Sequence, residues 1–152
     1  MRQHLIKVLE GSEAHAEFDD AVKDMPFALQ GNIPKGAEHS PWQELEHLRI
    51  AQWDIFEFAI DPKHKSPKFP DGYWPHNPAP PDEEAWAKSA QAFHADRQRF
   101  AKVLADESTD LFAKIPHGEG QTILRQALTA ADHNAYHLGQ LVLLRRLLGA
   151  WK

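Results

Sequence analysis

Residues 132–140 read DHNAYHLGQ and place two histidines, His133 and His137, four positions apart in a run that otherwise reads as an apolar helix. Positions four apart are stacked neighbours on an α-helix, with their Cβ atoms roughly 5–6 Å apart. Two imidazoles at that separation can bind one divalent metal ion from the same face. The stretch therefore predicts a helix that supplies part of a metal site.

The helix around this stretch is predicted to run from about Gln121 to Leu148, and Gly149 ends it. One row on its surface combines the two imidazoles with apolar side chains: Ala130, His133, His137, Leu141 and Leu144. A buried imidazole needs partners for its nitrogens, and a metal ion supplies one for each ring. The competing interpretation is that both histidines are ordinary helix residues, partly exposed or hydrogen-bonded in the core.

Two other features of this helix leave alternatives open. Gly139 lies inside the helix, where glycine costs about 1 kcal/mol relative to alanine. It indicates either the close approach of another helix or a simple packing role. The C-terminal end of the helix is rich in leucine: Leu141, Leu143, Leu144, Leu147 and Leu148. These side chains would pack in the core, form an interface with a second protein, or do both.

Two further helices are predicted in the first half of the chain. The first runs from about Arg2 to Lys23, with the pair Gly11-Ser12 as a weak point near its middle. The second begins at Ser40, a good N-cap, and Glu44 is expected to reach back within its first turn. It ends at Asp61, because a residue that precedes proline is pushed out of the α region.

A long loop, residues 61–81, separates the second helix from the third and carries seven prolines together with Phe69, Tyr73 and Trp74. A disordered linker rarely holds so many large aromatic residues, so we expect an ordered loop that packs over the domain. The third helix is predicted from about Asp82 to about Ala105. The whole chain, residues 1–152, is therefore predicted to be one all-α domain. Its fold is a four-helix up-and-down bundle, with the Pro- and aromatic-rich loop as a crossover or cap.

Composition excludes several classes of function. The 22 acidic residues outnumber the 17 basic ones and no basic patch stands out, so binding to nucleic acid is not expected. No apolar run approaches the ~20 residues that cross a bilayer, and no signal peptide is evident, so we expect a cytoplasmic protein that is not membrane-bound. Cysteine is absent, which excludes disulfides and an endogenous thiol nucleophile.

A third metal ligand has to come from another helix, because catalytic zinc usually takes three protein ligands and leaves one position open. His47 is the best-placed candidate, at the edge of the apolar stripe of the second helix, and His94 on the third helix is its rival. The loop histidines are expected at the surface: His39, His64, His76 and His117. His4 and His15 are weaker candidates.

Two segments together resemble a known family. Residues 132–141, DHNAYHLGQL, resemble the C-terminal signature of the DinB-like proteins, the DinB/YfiT superfamily, and residues 39–48, HSPWQELEHL, resemble its second-helix motif. The resemblance covers nearly the whole chain. It implies a four-helix bundle that often dimerises and that binds a divalent metal through three histidines. Those ligands fall on His47, His133 and His137.

The resemblance also implies a range of chemistry. The superfamily includes transferases and isomerases that use thiols such as bacillithiol or mycothiol, and metal-dependent hydrolases. We therefore expect a metal-dependent enzyme with an open coordination position, a thiol S-transferase or a hydrolase, that acts on a small-molecule substrate and forms a homodimer. The metal is expected to be zinc or nickel, with iron or manganese as further candidates. Because the chain lacks cysteine, any thiol would be a cosubstrate. The alternatives are a non-catalytic metal- or ligand-binding module linked to stress, and a metal-free structural dimer.

Glu44, one turn before His47, is the first candidate for a general base. The competing interpretation makes it a helix-start residue that interacts with the first turn. Asp54 and Asp132 are candidates to orient a ligand imidazole. The aromatic residues of the loop, together with Trp42 and Trp53, would either wall a substrate pocket or simply pack, and packing is favoured.

Overall fold

The computed structural model describes residues 1–11 and 14–151. These residues form four bundle helices and two short ones, with a 3₁₀ turn at Asp71–Tyr73. In chain order the helices are α1 (Arg2–Glu10), α2 (Phe18–Val22), α3 (Phe27–Gln30), α4 (Pro41–Ile60), α5 (Ala85–Ala105) and α6 (Ile123–Leu147). No strand occurs in the described part of the chain, so the predicted all-α four-helix bundle is confirmed.

The first predicted helix is too long, because α1 stops at Glu10 and the chain re-enters helix only at Phe18. Gly11 ends α1 with a left-handed φ of 73°, and its N–H bonds to the carbonyls of Lys7 and Val8. Glycine adopts this conformation without the steric cost that a Cβ would impose. The other half of the predicted weak point, Ser12, lies outside the described residues.

The start of α4 is where the sequence placed it, but a different residue closes the cap. The Ser40 hydroxyl accepts from the Gln43 N–H at 3.2 Å, and the Gln43 side-chain oxygen accepts from the Ser40 N–H at 3.1 Å. This reciprocal pair is a capping box. Gln43 therefore does what was expected of Glu44, and the Glu44 carboxylate turns into the protein, where it is 5% exposed.

The helix directions follow from side-chain pairs. Going along α4, Glu46 bonds to Ser89 and Glu57 to Arg99, so α5 runs parallel to α4. On α6 the partners run the other way, since Glu44 faces His137 and Gln52 faces Asn134.

Helix α1 is antiparallel to α5. The Arg2 guanidinium bonds to the Leu104 carbonyl, and the Arg97 guanidinium bonds to the Glu10 carbonyl. The bundle thus runs up, down, down, up. Strict alternation is interrupted between α4 and α5, and the long connection between them is a crossover that spans the bundle.

The leucine-rich end of α6 is divided between core and surface. Leu141 and Leu144 are buried, whereas Leu143 and Leu147 are about half exposed. Gly139 is exposed, and a Cβ added there would meet nothing within 4 Å in the described structure. Of the two alternatives for Gly139, the close approach of another helix is not found among the described residues, and homodimerisation stays a prediction.

Hydrogen bonds to α4 hold the crossover loop in place. The buried Asp54 carboxylate accepts from the Tyr73 hydroxyl at 2.6 Å and pairs with the His64 ring at 2.7 Å. The Gln43 side-chain amide donates to the Pro75 carbonyl, and the Ser40 hydroxyl donates to the Pro78 carbonyl. The loop therefore lies along α4 from Asp54 back to its N-cap, Ser40. No described helix is long and apolar enough to cross a bilayer.

Candidate metal centre

Three imidazole rings converge between α4 and α6. The Nε2 atom of His47 lies 3.0 Å from Nε2 of His133 and 3.2 Å from Nε2 of His137. The helical pair and the α4 histidine predicted from the sequence are thus neighbours in space. Zinc–nitrogen bonds of about 2.0–2.1 Å in a tetrahedron place two nitrogens roughly 3.3 Å apart, close to the separations found here.

The backbone of the crossover loop orients the ring of His47. Its Nδ1 donates to the Tyr73 carbonyl at 3.0 Å, because a carbonyl oxygen can only accept. In the neutral ring the single proton therefore lies on Nδ1, and Nε2 presents a lone pair to the other two histidines.

A carboxylate orients the ring of His137 in the same way. The Nδ1 atom of His137 donates to the Oε2 atom of Glu44 at 2.8 Å. Both groups are largely shielded from solvent, with 13% and 7% of their side-chain surfaces exposed. A carboxylate behind a ligand imidazole fixes the tautomer and raises the basicity of the free nitrogen. The outward Nε2 of His137 thus presents a lone pair as well.

The third ring, His133, has a buried Nδ1 atom without a hydrogen-bond partner among the residues that the structure describes. The side chain of the adjacent Asn134 acts on the pKa of His133, and its amide donates to Gln52 at 2.6 Å. The polar environment behind His133 is therefore poorer than that behind His47 and His137.

Burial keeps two of these rings neutral. Burial first, and the neighbouring histidines to a smaller extent, lower the pKa of His47 and that of His133 to about 4. At neutral pH both rings are uncharged, which is the form that binds a metal. Lone pairs directed at one another at 3.0–3.2 Å repel unless a proton or a cation lies between them. The three-histidine group therefore fits a divalent metal ion.

Trp74 of the crossover loop covers one side of the centre. One face of its indole stacks on His47 with ring centroids 3.8 Å apart, and the other face stacks on His39 at the same separation. The sequence analysis favoured a packing role for Trp74 over a place in the wall of a pocket. Trp74 has both roles, since it stacks on two histidines and also lines the cavity beside His137.

That cavity has a volume of about 350 Å³ and opens to solvent beside His137 and Glu44. His39, Tyr136 and Gln140 contribute to its wall. A cavity of this size lies within the range of small-molecule sites. Of the three imidazoles, that of His137 lines the cavity, so a ligand there would lie beside this ring.

Several sequence-based expectations are corrected. His94 lies away from the centre and pairs with Asp19. Asp54 supports Tyr73 instead of a ligand imidazole, and Asp132 is exposed on the outer face of α6. His64, expected at the surface, has only 7% of its side chain exposed because it pairs with Asp54.

His39, also expected at the surface, is half-buried under Trp74. The prediction that loop histidines lie at the surface is confirmed for His76 and His117, which are exposed. Sequence reasoning missed the Tyr73 carbonyl and the role of Trp74, for which the loop carries no periodic signal. The only clue was the placement of aromatic residues in a proline-rich segment.

Comparison with protein families gives one match. A family model described as the DinB superfamily matches residues 10–141, which include all three histidines of the centre. No curated protein and no solved structure matches the chain.

Proposed function

The chain belongs to the DinB superfamily, and from that premise we propose that it is a metal-dependent enzyme that acts on a small molecule. Its reaction would be hydrolysis or thiol S-transfer. His47, His133 and His137 would hold the metal, with zinc or nickel as the first candidates and iron or manganese next. The observation that carries the proposal is the convergence of three Nε2 atoms beside an open cavity.

Three protein ligands are the usual complement of a catalytic zinc site, whereas structural sites are closed by four. When bound here, a divalent metal would supply Lewis acidity that lowers the pKa of a water molecule or a thiol at its open position. Imidazole ligands are neutral, so they leave the full charge of the cation for this purpose.

Glu44 is proposed to serve both the ligand and the reaction. Its Oε2 atom accepts from Nδ1 of His137, while its Oε1 atom points toward His39 at 3.8 Å, and the residue lines the cavity. The Oε1 atom is thus available to take a proton from a nucleophile in the cavity. One oxygen of Glu44 is thus proposed for the ligand and the other for the reaction, while the helix-start role considered for this residue belongs to Gln43.

The loop residues are proposed to position the centre. The Tyr73 carbonyl holds the His47 ring by its Nδ1 proton, and Trp74 shields the ring face from water. Excluding water strengthens every electrostatic interaction inside the site. Since the chain has no cysteine, a thiol reaction would need a cosubstrate thiol in the cavity.

Elemental analysis of untagged protein tests the first half of the proposal. We expect about one equivalent of metal in the wild type and its loss in His133→Ala. The matched control is His117→Ala, which removes an exposed histidine whose ring bonds to the Phe58 carbonyl. Equal metal in all three proteins would place the metal elsewhere.

Turnover tests the second half. Metal-loaded protein is assayed with ester and amide panels, and separately with mycothiol, bacillithiol or glutathione and electrophilic acceptors. Turnover by the wild type that disappears in His133→Ala supports the proposal that the protein is a metal-dependent enzyme. Stoichiometric metal with no turnover on any panel supports the non-catalytic module, and no metal at all supports the structural dimer.

A further inference from the structure

We infer that the cavity beside the three histidines selects neutral or positively charged substrates and disfavours those that carry a carboxylate. The inference rests on the proposed function, since it names the substrate class of the same site. It follows from the charges on the cavity wall and from the groups that are missing there.

The wall carries two carboxylates, those of Glu38 and Glu44, and no lysine or arginine occurs among its described lining residues. Carboxylate substrates are usually recognised by a guanidinium or ammonium group or by the N–H groups of a helix N-terminus. The nearest helix N-terminus is that of α4. The Ser40 side chain caps it, and Glu44 already lies in its first turn. Apart from a bound metal, a carboxylate in the cavity would therefore meet two like charges and no guanidinium or ammonium group among the described lining residues.

The charge of a bound divalent ion does not reverse this argument. Three neutral imidazoles would leave two positive charges, and the two wall carboxylates balance them. A substrate with an added negative group gains no counter-charge from the protein beyond the metal itself. A substrate with an ammonium group instead faces Glu38 at the exposed end of the cavity.

The remaining wall groups suit a neutral or cationic molecule. Gln140 offers an amide that both donates and accepts, and it requires no charge on its partner. Tyr136 is 63% exposed and its ring is available to a cation at the rim. Trp74 cannot offer a face, because His39 and His47 cover both.

Three small thiols with the same sulfur donor test the inference: cysteamine, 2-mercaptoethanol and 3-mercaptopropionate, whose far ends are positive, neutral and negative. Each is titrated into the Co²⁺-loaded protein at low ionic strength. The Kd is read from the sulfur-to-cobalt charge-transfer absorption, which does not depend on turnover. The thiols differ in intrinsic acidity, so the diagnostic quantity is the change in their Kd ratio between protein variants.

We expect Glu38→Gln to lower the ratio of the 3-mercaptopropionate Kd to the cysteamine Kd by about threefold or more, because one wall charge acts with opposite sign on the two probes. 2-Mercaptoethanol is expected to bind equally to both proteins. The matched control is Glu107→Gln, an exposed residue just beyond α5 at the opposite end of the bundle, which changes the net charge by the same amount.

An unchanged ratio in Glu38→Gln, or an equal change in Glu107→Gln, would overturn the inference while leaving the proposed function intact. Failure of the protein to bind Co²⁺ would overturn the proposed function and the inference with it. The two failures are distinguishable, because the absorption of bound cobalt is recorded before any thiol is added.

Discussion

The indole of Trp74 lies parallel to the imidazole of His47, with ring centroids 3.8 Å apart and an interplanar angle of 3°. A residue of the crossover loop thus rests on a proposed ligand from α4. The opposite face of the indole stacks on His39 with an angle of 10°. The loop and the metal centre are therefore one packed unit, and a change in the loop is expected to reach the centre.

Replacing Trp74 is expected to weaken metal binding. Trp74→Ala removes the surface that limits rotation of the His47 ring, and we expect a loss in affinity of about tenfold, the lower end of the effect of groups that support a ligand. Trp74→Phe keeps a ring and is expected to lose less. Affinity is measured by competition with a chromophoric chelator. If Trp74→Ala binds the metal as tightly as the wild type, the stack of Trp74 on His47 does not position the His47 ring.

Glu44 offers a way to separate support of a ligand from catalysis. Glu44→Gln keeps an oxygen that can accept from Nδ1 of His137 but removes the charge and the basic group. We expect a loss in metal affinity of about tenfold. At saturating metal, we expect turnover to fall by about a hundredfold or more. Metal content and kcat are measured on the same preparation.

The outcome of that comparison decides the role of Glu44. If saturating metal restores the full turnover of Glu44→Gln, the carboxylate acts only by holding His137. The control is Glu46→Gln, two residues away on α4, where the carboxylate pairs with Arg49 and Ser89 instead of a ligand imidazole. That variant is expected to keep the metal affinity of the wild type.

The buried rings also predict how stability depends on pH in the absence of metal. Burial lowers the pKa of His47 and His133 to about 4, whereas both titrate near 6.5 when the chain is unfolded. Between these values the unfolded chain binds more protons than the folded one. The free energy of unfolding therefore falls as the pH drops from about 6.5 toward 4.

Urea denaturation of metal-free protein at several pH values measures this effect. Replacing both rings, as in His47→Gln with His133→Gln, is expected to flatten the dependence, while His76→Gln at an exposed position leaves it unchanged. Equal slopes in the wild type and the double variant would show that folding leaves the pKa of these rings unshifted. Metal affinity of the folded protein is expected to fall as the pH approaches 4, where protons begin to compete with the metal for the Nε2 atoms of His47 and His133.

The parts of the molecule that were predictable from sequence are those governed by short-range periodicity. The pair His133 and His137 follows from helical spacing, and the start of α4 follows from Ser40 and Pro41. The approach of His47 to that pair depends on which helices are neighbours. Spacing alone left His94 as a rival, and the family resemblance was needed to choose between them.

The remaining features depend on tertiary contacts that leave no periodic trace. The crossover loop has no repeat from which to place the Tyr73 carbonyl against His47 or Trp74 over its ring. The parallel direction of α5 relative to α4 is set by where the loop ends. The choice of Gln43 over Glu44 in the cap is local by contrast, because Gln43 occupies the N3 position of the capping box, whereas the bond of Glu44 to His137 is a tertiary contact.

The hydrogen bond between Tyr73 and Asp54 is expected to stabilise the loop that supports His47. Burial and the neighbouring Asp54 carboxylate both raise the pKa of the Tyr73 hydroxyl, so it remains a donor at all ordinary pH values. Tyr73→Phe deletes the donor and leaves the backbone carbonyl that faces His47. It also leaves the carboxylate with His64 as its remaining side-chain partner.

We expect Tyr73→Phe to lower the free energy of unfolding by about 1–3 kcal/mol, the cost of leaving a buried charged acceptor short of a donor. The chain supplies its own control in Tyr136→Phe, since Tyr136 is 63% exposed and is expected to change stability by less than about 0.5 kcal/mol. Urea denaturation of the metal-free proteins gives both values. If the two variants lose the same stability, the Tyr73–Asp54 hydrogen bond adds nothing measurable to the loop, which is then held by other contacts such as those of its carbonyls with Gln43 and Ser40.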